Sequence, residues 1–361
     1  MNSVLRLVLF VLAIVWMPFA ATAQAVLNVG YFREWPLPVL AGKAGGFGED
    51  AGFTVKWRAY DNSRAMLSGL AAGDIDIALS LGVVPVLVAR LAGQDVEIVD
   101  IAVDYSGSLG CVADAALGLT KENAAVLEGA RVALPVGTLV HAGLLRQLSA
   151  LGVDATGLEL TDMSPRQAAT ALAQGKVDVA CAWGSLYAGM KSAGAALNDL
   201  ADAGGYAFDA VVVRKGYGNE NADVLALFLK AQSGMNIRYQ ADPAGVLPVL
   251  AVESGLTEAA ARKTLDGFAF PPMEARLGAE WLGGGVSRRL KELAVFLVAQ
   301  STLEKMPDGL DALVNPAYLQ AARALVAAEI EAARAAEQAA AEAEAAAAAA
   351  AVTPEAPAVA E

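Results

Sequence analysis

The sequence predicts an α/β protein of two Rossmann-like lobes joined by a two-strand hinge, followed by an extra Ala/Glu-rich C-terminal helix. Three observations carry that reading. One phrase is written twice: Gly73-Asp74-Ile75-Asp76-Ile77-Ala78 and Gly175-Lys176-Val177-Asp178-Val179-Ala180 both read Gly-x-β-Asp-β-Ala, with β an Ile or Val. Short apolar runs alternate with helical patterns along the chain, as parallel strands linked by crossover helices do. A late apolar run, Ala210 to Val213, follows the second cycle and reads as the chain crossing back to the first lobe.

In the first lobe the alternating run Val26 to Tyr31 predicts a strand, Ala41 to Ala51 a helix with glycine breaks, and Thr54 to Trp57 a second strand. The amphipathic stretch Arg64 to Ala72 ends at Gly73, a glycine helix stop. Strands are then expected at Ile75 to Ala78 and Glu97 to Ala102. The polar, turn-rich passage Asp114 to Glu128 reads as the crossing into a second lobe that opens on Arg131 to Leu134. There the cycle repeats: helix His141 to Leu151, strand Leu158 to Leu160, helix Pro165 to Gln174, strand Val177 to Ala182. The expected division is residues 24–113 and 207–316 for the first lobe, 114–206 for the second, and 317–361 for a helical tail. The tail is composed of strong helix formers and lacks an apolar stripe beyond its start, so a packed beginning and a solvated remainder are expected.

Residues 1–23 read as a cleaved Sec-type signal: Arg6 supplies the positive start, Leu7 to Val15 the apolar run, and Ala21-Thr22-Ala23 the small-x-small cleavage site. The run falls short of the roughly 20 residues of a membrane span. No cysteine follows it to carry a lipid. The protein is therefore expected in the periplasm of a Gram-negative cell. Cys111 and Cys181 are the only cysteines. A disulfide is open to an exported chain, but Leu109 to Val112 and Val177 to Ala182 fall in different lobes on this reading, which predicts two buried free thiols.

The formal charge of −13 argues against nucleic acid, because phosphate binding needs basic patches. Catalytic constellations are scarce. There is one histidine, His141, and no His/Cys/Asp cluster with metal-ligand spacing, no phosphate loop and no nucleophile elbow. The balance falls towards binding, with no catalytic residue, metal or cofactor expected. Ligands of open α/β sheets sit at the carboxyl ends of the strands. Tyr31, Trp35, Tyr105, Trp183, Tyr187 and Tyr206 are all placed near such ends or near the hinge. Aromatic faces with a carboxylate suit an ammonium or methylated cation. Thr138 and His141 mark a helix start able to receive an anion, although a hydrogen-bonded structural histidine is the plainer reading of His141. Asp76 and Asp178 read as structural carboxylates that tie backbone at a strand edge.

Trp57, Arg58, Asp61, Leu67 to Gly82, Pro85, Pro135, His141 to Gly152, Asp178, Trp183 and Asp209 to Lys215 together carry a resemblance. Over Val26 to Pro316 the chain resembles the periplasmic substrate-binding proteins of the taurine, aliphatic-sulfonate and nitrate type, within the NMT1/THI5-like family, and most of all its taurine-binding branch. The resemblance implies a type II periplasmic binding fold, a small-molecule ligand held between the lobes, and delivery as a monomer to an ABC permease in the inner membrane. Together with the aromatics placed near strand ends, it gives an expected ligand site at Tyr31, Phe32, Trp35, Gly82, Val83, Val84, Tyr105, Thr138, His141, Trp183 and Asp209. Departures are visible. Val83 and Val84 stand where the family has two serines, Phe32 where it has a glutamine, and the region of Leu109 where the taurine branch keeps a carboxylate. Two lost hydroxyls weaken a sulfonate site, while Asp104, Asp209 and the aromatics remain for a cation and Arg33 for an anion. The expected ligand is thus a small amine- or onium-bearing solute, zwitterionic in the taurine-like case. Two other readings share this fold. One is a periplasmic sensor or adaptor that docks through its tail. The other is an enzyme like thiamine-pyrimidine synthase, which a single histidine and two dispersed cysteines oppose.

Overall fold

The structure, a computed structural model, describes residues 24–32, 51–60, 63–201, 207–254 and 257–351. The signal sequence, Arg33, Trp35, the helix expected from Ala41, Asp61 and Tyr206 lie wholly or almost wholly outside the described residues.

The first sheet contains β1 (Ala25–Phe32), β2 (Phe53–Tyr60), β3 (Ile77–Gly82) and β4 (Val96–Asp104), with α1 (Ser63–Ala72) and α2 (Val83–Leu91) between them. The chain then passes to β5 (Leu109–Ala113), β6 (Arg131–Leu134), α3 (Leu139–Ala150), β7 (Glu159–Asp162), α4 (Pro165–Ala173) and β8 (Val179–Trp183). After α5 (Gly184–Lys191), β9 (Ala195–Ala196) and α6 (Leu197–Leu200) it returns through β10 (Phe208–Arg214). Helices follow: α7 (Lys215–Glu220), α8 (Ala222–Ala241), α9 (Pro243–Ser254), α10 (Glu258–Leu265), α11 (Met273–Leu277), α12 (Gly285–Ala299) and α13 (Ala317–Ala351).

Two five-stranded sheets result, ordered β2-β1-β3-β10-β4 and β7-β6-β8-β5-β9. Four strands of each share one direction, and the fifth lies antiparallel among them beside the strand of the repeated phrase: β10 between β3 and β4, β5 between β8 and β9. Those antiparallel strands are the ones the chain enters immediately after each crossing. The expectation that Leu109 to Ala113 closes the first lobe is therefore corrected. This segment pairs with β8 in the second sheet, and the crossing occupies Tyr105 to Ser108. All five residues of β5 are buried, so its local pattern says strand without saying in which sheet. Asp114 to Glu128, read as the crossing, lies beyond β5 as two short 3-10 turns, the first capped by Asp114 and the second following Asn123.

The same register corrects the cysteines. Cys111 and Cys181 are directly opposite on β5 and β8, with Cα atoms 4.0 Å apart, and they form a disulfide. The free-thiol expectation failed because it placed the two strands in separate sheets.

The twice-written phrase performs the same task in each lobe. Gly73 and Gly175 end their helices with φ of 77° and 65°, a conformation that costs a side-chain-bearing residue. Asp76 then accepts the main-chain N–H of Asn28 at 2.9 Å and its side-chain amide at 2.8 Å, tying the phrase to β1. Asp178 accepts the main-chain N–H of Arg131 at 2.8 Å and its guanidinium at 3.0 and 2.7 Å, tying the second phrase to β6. Both carboxylates are structural, as expected.

The hinge is stitched across its two passages. Tyr105 N–H donates to Ala207 at 2.9 Å, and Ser106 Oγ accepts from Ala207 N–H at 3.1 Å. Asn198 Nδ2 donates to Ser106 O at 3.2 Å and to Leu109 O at 2.8 Å. On the first lobe, Arg276 of α11 forms a fully buried ion pair with Asp100 of β4 and donates to Ser233 Oγ of α8 at 2.6 Å. These bonds fasten the returning helices to the sheet. The start of α13 packs there too: Tyr318, Leu319 and Ala322 are buried, whereas Ala327 to Ala348 are exposed throughout. Among the described residues, no helix is long and apolar enough to cross a membrane.

Candidate solute-binding cleft

Three helices begin at one cavity of about 420 Å³ between the lobes. Val84 belongs to the first turn of α2, Thr138 to Val140 to the start of α3, and Trp183 with Gly184 to the start of α5. In none of them does a side chain cap the helix. The local sequence explains why. Glycine at position 82 and tryptophan at position 183 offer no hydroxyl or carboxylate to the first turn, and Thr138 Oγ1 turns back to donate to Pro135 O at 2.7 Å. By contrast α4, remote from the cavity, carries a complete capping box from Ser164 and Gln167. First-turn N–H groups have no partner inside their own helix, and the helix dipole adds positive potential at that end. Three such ends meeting in a hollow favour an anionic group.

The rest of the wall is apolar and aromatic. Tyr105 and Phe268 lie edge to face, with ring centroids 6.5 Å apart, and Leu109 and Trp183 join them. Trp183 is 46% exposed, a large apolar ring left open at a cavity rim. Behind the wall, the buried carboxylate of Asp209 accepts a 2.7 Å hydrogen bond from Ser80 Oγ. Burial pushes its pKa up to about 7, against the pull of hydrogen bonds from Ser80 and Tyr105. Ser80 itself has φ 70°, a left-handed conformation uncommon for a residue other than glycine, where the register between β3 and β10 shifts.

Of the residues singled out in the sequence, Val84, Tyr105, Thr138 and Trp183 come together around this cavity. Gly82, Val83 and Asp209 stand beside it: Gly82 pairs with Asp209 across β3 and β10, and Val83 is buried at the wall of an adjoining cavity. Tyr31 is buried at the end of β1, with its ring edge-on to Trp57 at 6.0 Å, and Phe32 is the last residue of β1. His141 does not line the cavity. Its ring is buried, Nδ1 accepts the Gly137 N–H at 3.2 Å, and its face meets Phe296 edge-on at 5.1 Å. Burial lowers its pKa, which favours the neutral ring that this acceptor role requires. Asp104, a candidate cation partner, spends one carboxylate oxygen on the Ser106 N–H at 2.9 Å. Phe268, Ser108 and Gly184 were not foreseen. Phe268 reaches the cleft only because Ala269 bridges to Asp104, a contact with no periodic signal in the sequence. Among the described residues, no three His, Cys, Asp or Glu side chains are grouped to hold a metal ion.

The family model described as NMT1/THI5 like matches residues 36–243. A taurine-binding periplasmic protein of Escherichia coli K12 is 27% identical over 228 residues, covering 62% of this chain and 70% of that protein. Among solved structures, the periplasmic aliphatic sulphonate binding protein SsuA from Escherichia coli superposes with a TM-score of 0.62 at 22% identity, over 78% of this chain and 90% of that one. The desulfurization enzyme DszB, solved as a point mutant in complex with biphenyl-2-sulfinic acid, superposes with a TM-score of 0.58 at 16% identity, over 83% and 99%. The fold is thus that of the type II periplasmic binding proteins, one that also carries an enzyme, so function rests on the site. With more than half its length matched by the family model, this chain belongs to the NMT1/THI5-like family.

Proposed function

We propose that this protein is the exported, monomeric solute-binding receptor of an ABC importer. It takes a small zwitterion, an amine or onium bearing a sulfonate or similar acid group, and delivers it to the inner-membrane permease. The similarity to a taurine-binding periplasmic protein of Escherichia coli supports the receptor role and a periplasmic location. The observation that carries the ligand class is the convergence of three uncapped helix starts on one aromatic-walled cavity. The anionic group would sit against the N–H groups opening α2, α3 and α5, replacing with backbone donors the hydroxyls that Val83 and Val84 lack. The cationic group would lie over the faces of Tyr105, Trp183 and Phe268, as ammonium and methylated ammonium ions do on aromatic rings. A cavity of about 420 Å³ suits a small organic solute.

A thermal-shift panel on the purified protein separates the two halves of this reading. Taurine and hypotaurine carry both groups, ethanesulfonate only the acid, and choline only the cation. A ligand that binds the folded state alone raises the melting midpoint by an amount that grows with the logarithm of its concentration over its Kd. The zwitterions should raise it more than either half-molecule at equal concentration. Equal shifts for ethanesulfonate and taurine would remove the cation from the proposal, and no shift with any of the four would remove the ligand class.

A further inference from the structure

A second interlobe cavity, of about 540 Å³, lies along the flank of α3. Leu139, Ala142 and Arg146 of α3 form one side, and Arg289, Leu293 and Phe296 of α12 face them from the first lobe. Its surroundings are apolar apart from Ser149 and three charges. Arg146 Nη1 donates to Glu292 Oε2 at 2.6 Å across the gap between the lobes, and the two charges offset each other. Arg289 remains. Its guanidinium carbon sits 4.7 Å over the Trp281 ring, and its side chain is 12% exposed. Nη2 reaches Glu280 only at 3.4 Å, and that carboxylate is 78% exposed, a weak and well-screened counter-charge; Asp104 adds a longer-range attraction, which the neighbouring Arg146 and Arg288 oppose. Nη1 is buried without a hydrogen-bond partner among the described residues. A guanidinium stacked on tryptophan, short of acceptors and forming part of an apolar hollow is the arrangement that receives an organic acid by its head while the walls take its body.

We propose that this cavity is a second ligand site, separate from the cleft at the helix starts, that takes an amphipathic organic monoanion through Arg289. It does not depend on the zwitterion reading of the cleft. Because its two walls belong to different lobes, an occupant holds them in the present arrangement and stabilises it over any more open one. The two cavities adjoin, sharing Leu139 and taking the consecutive residues Val83 and Val84, but Arg289 and the α12 wall belong to the larger one alone.

The test uses 8-anilinonaphthalene-1-sulfonate, an aromatic monoanion whose fluorescence rises in apolar surroundings, titrated against the full chain. The wild type should bind it saturably. Arg289→Gln removes the charge, and Ala142→Trp fills the hollow from the opposite wall with the arginine intact. Each should weaken binding by about tenfold or more, the loss of a charge-assisted contact or of the space itself. Trp183→Ala, in the cleft, should leave probe affinity within about twofold, and excess taurine should not displace the probe. Circular dichroism and melting midpoints show whether each variant is folded, and Arg289→Lys keeps the charge if the glutamine does not fold. Unchanged affinity in both cavity variants, displacement by taurine, loss on Trp183→Ala, or no saturable binding to the wild type would each overturn the proposal.

Discussion

Ser80 and Asp209 meet behind the cleft through a buried 2.7 Å hydrogen bond between residues 129 positions apart in the chain. The serine holds a left-handed backbone at φ 70° to make it, and the carboxylate is held with a pKa of about 7 by burial. Strain and an ill-solvated acid side by side, directly beneath a cavity, are features that folds retain at working sites.

A pH dependence follows from Asp209. Its folded-state pKa lies above the unfolded value, so the folded chain binds this proton more tightly. Stability from this residue is intact at pH values below about 4, declines as pH rises towards 7, and is lowest above it. Asp209→Asn has no charge to bury. Its stability relative to wild type should improve by roughly 2–4 kcal/mol between pH 4 and pH 8, measured by urea unfolding at both pH values. A constant difference between the two proteins would show that Asp209 does not titrate in this range.

The disulfide between Cys111 and Cys181 spans a sequence separation of 70 within the second lobe. A cross-link of that span removes loop-closure entropy from the unfolded chain. Replacing both cysteines by alanine should cost about 2–4 kcal/mol, read from denaturant midpoints of the oxidised wild type and the double variant. The variant should retain ligand binding, since both sulfurs are buried in the sheet and away from the cavity wall.

The two copies of the repeated phrase should differ in cost when their aspartates are removed. Asp76 is buried and satisfies both nitrogens of Asn28, so Asp76→Ala leaves a largely buried main-chain donor unpaired and should cost about 1–3 kcal/mol. Asp178 and Arg131 are more open, and water can replace the lost carboxylate, so Asp178→Ala should cost less than the equivalent change at Asp76. Equilibrium unfolding of the two single variants decides the order.

Val84 opens onto this cavity from the first turn of α2, whereas Val83 is buried in the core at the apolar wall of the second cavity. Val84→Ser should therefore restore a hydroxyl to the anion end and raise affinity for ethanesulfonate by about tenfold, measured by calorimetry. Val83→Ser should chiefly destabilise, because it buries a hydroxyl among apolar neighbours.

Much of this architecture was legible before any coordinates. Alternating apolar runs located nine of the ten described strands, because a buried strand and an amphipathic helix differ in period; the two-residue β9 was too short to show one. The Gly-x-β-Asp-β-Ala repeat located the equivalent strand of each lobe, and its glycines and aspartates have the local tasks their chemistry suggests. Sheet membership was not legible. Leu109 to Ala113 is uniformly apolar and would suit either lobe, so both the crossing point and the disulfide were misplaced together. At the site, residues on strand ends and helix starts were found by position, as with Val84, Tyr105, Thr138 and Trp183. Phe268 and Arg289 could not be, since each reaches its cavity from the returning helical segment, where only tertiary packing sets its neighbours.

Trp183 tests the central claim most directly. It is exposed at the cavity rim, opens α5 and supports no core, so its removal should spare the fold and strike the ligand. Calorimetric titration of taurine into wild type and Trp183→Ala, with melting midpoints recorded alongside, should show saturable binding to the first. For the variant it should show an affinity about tenfold or more weaker at an unchanged midpoint. Equal affinity in the two proteins, or no binding of taurine to the wild type, would contradict a taurine-like ligand held at the meeting point of the three helix starts.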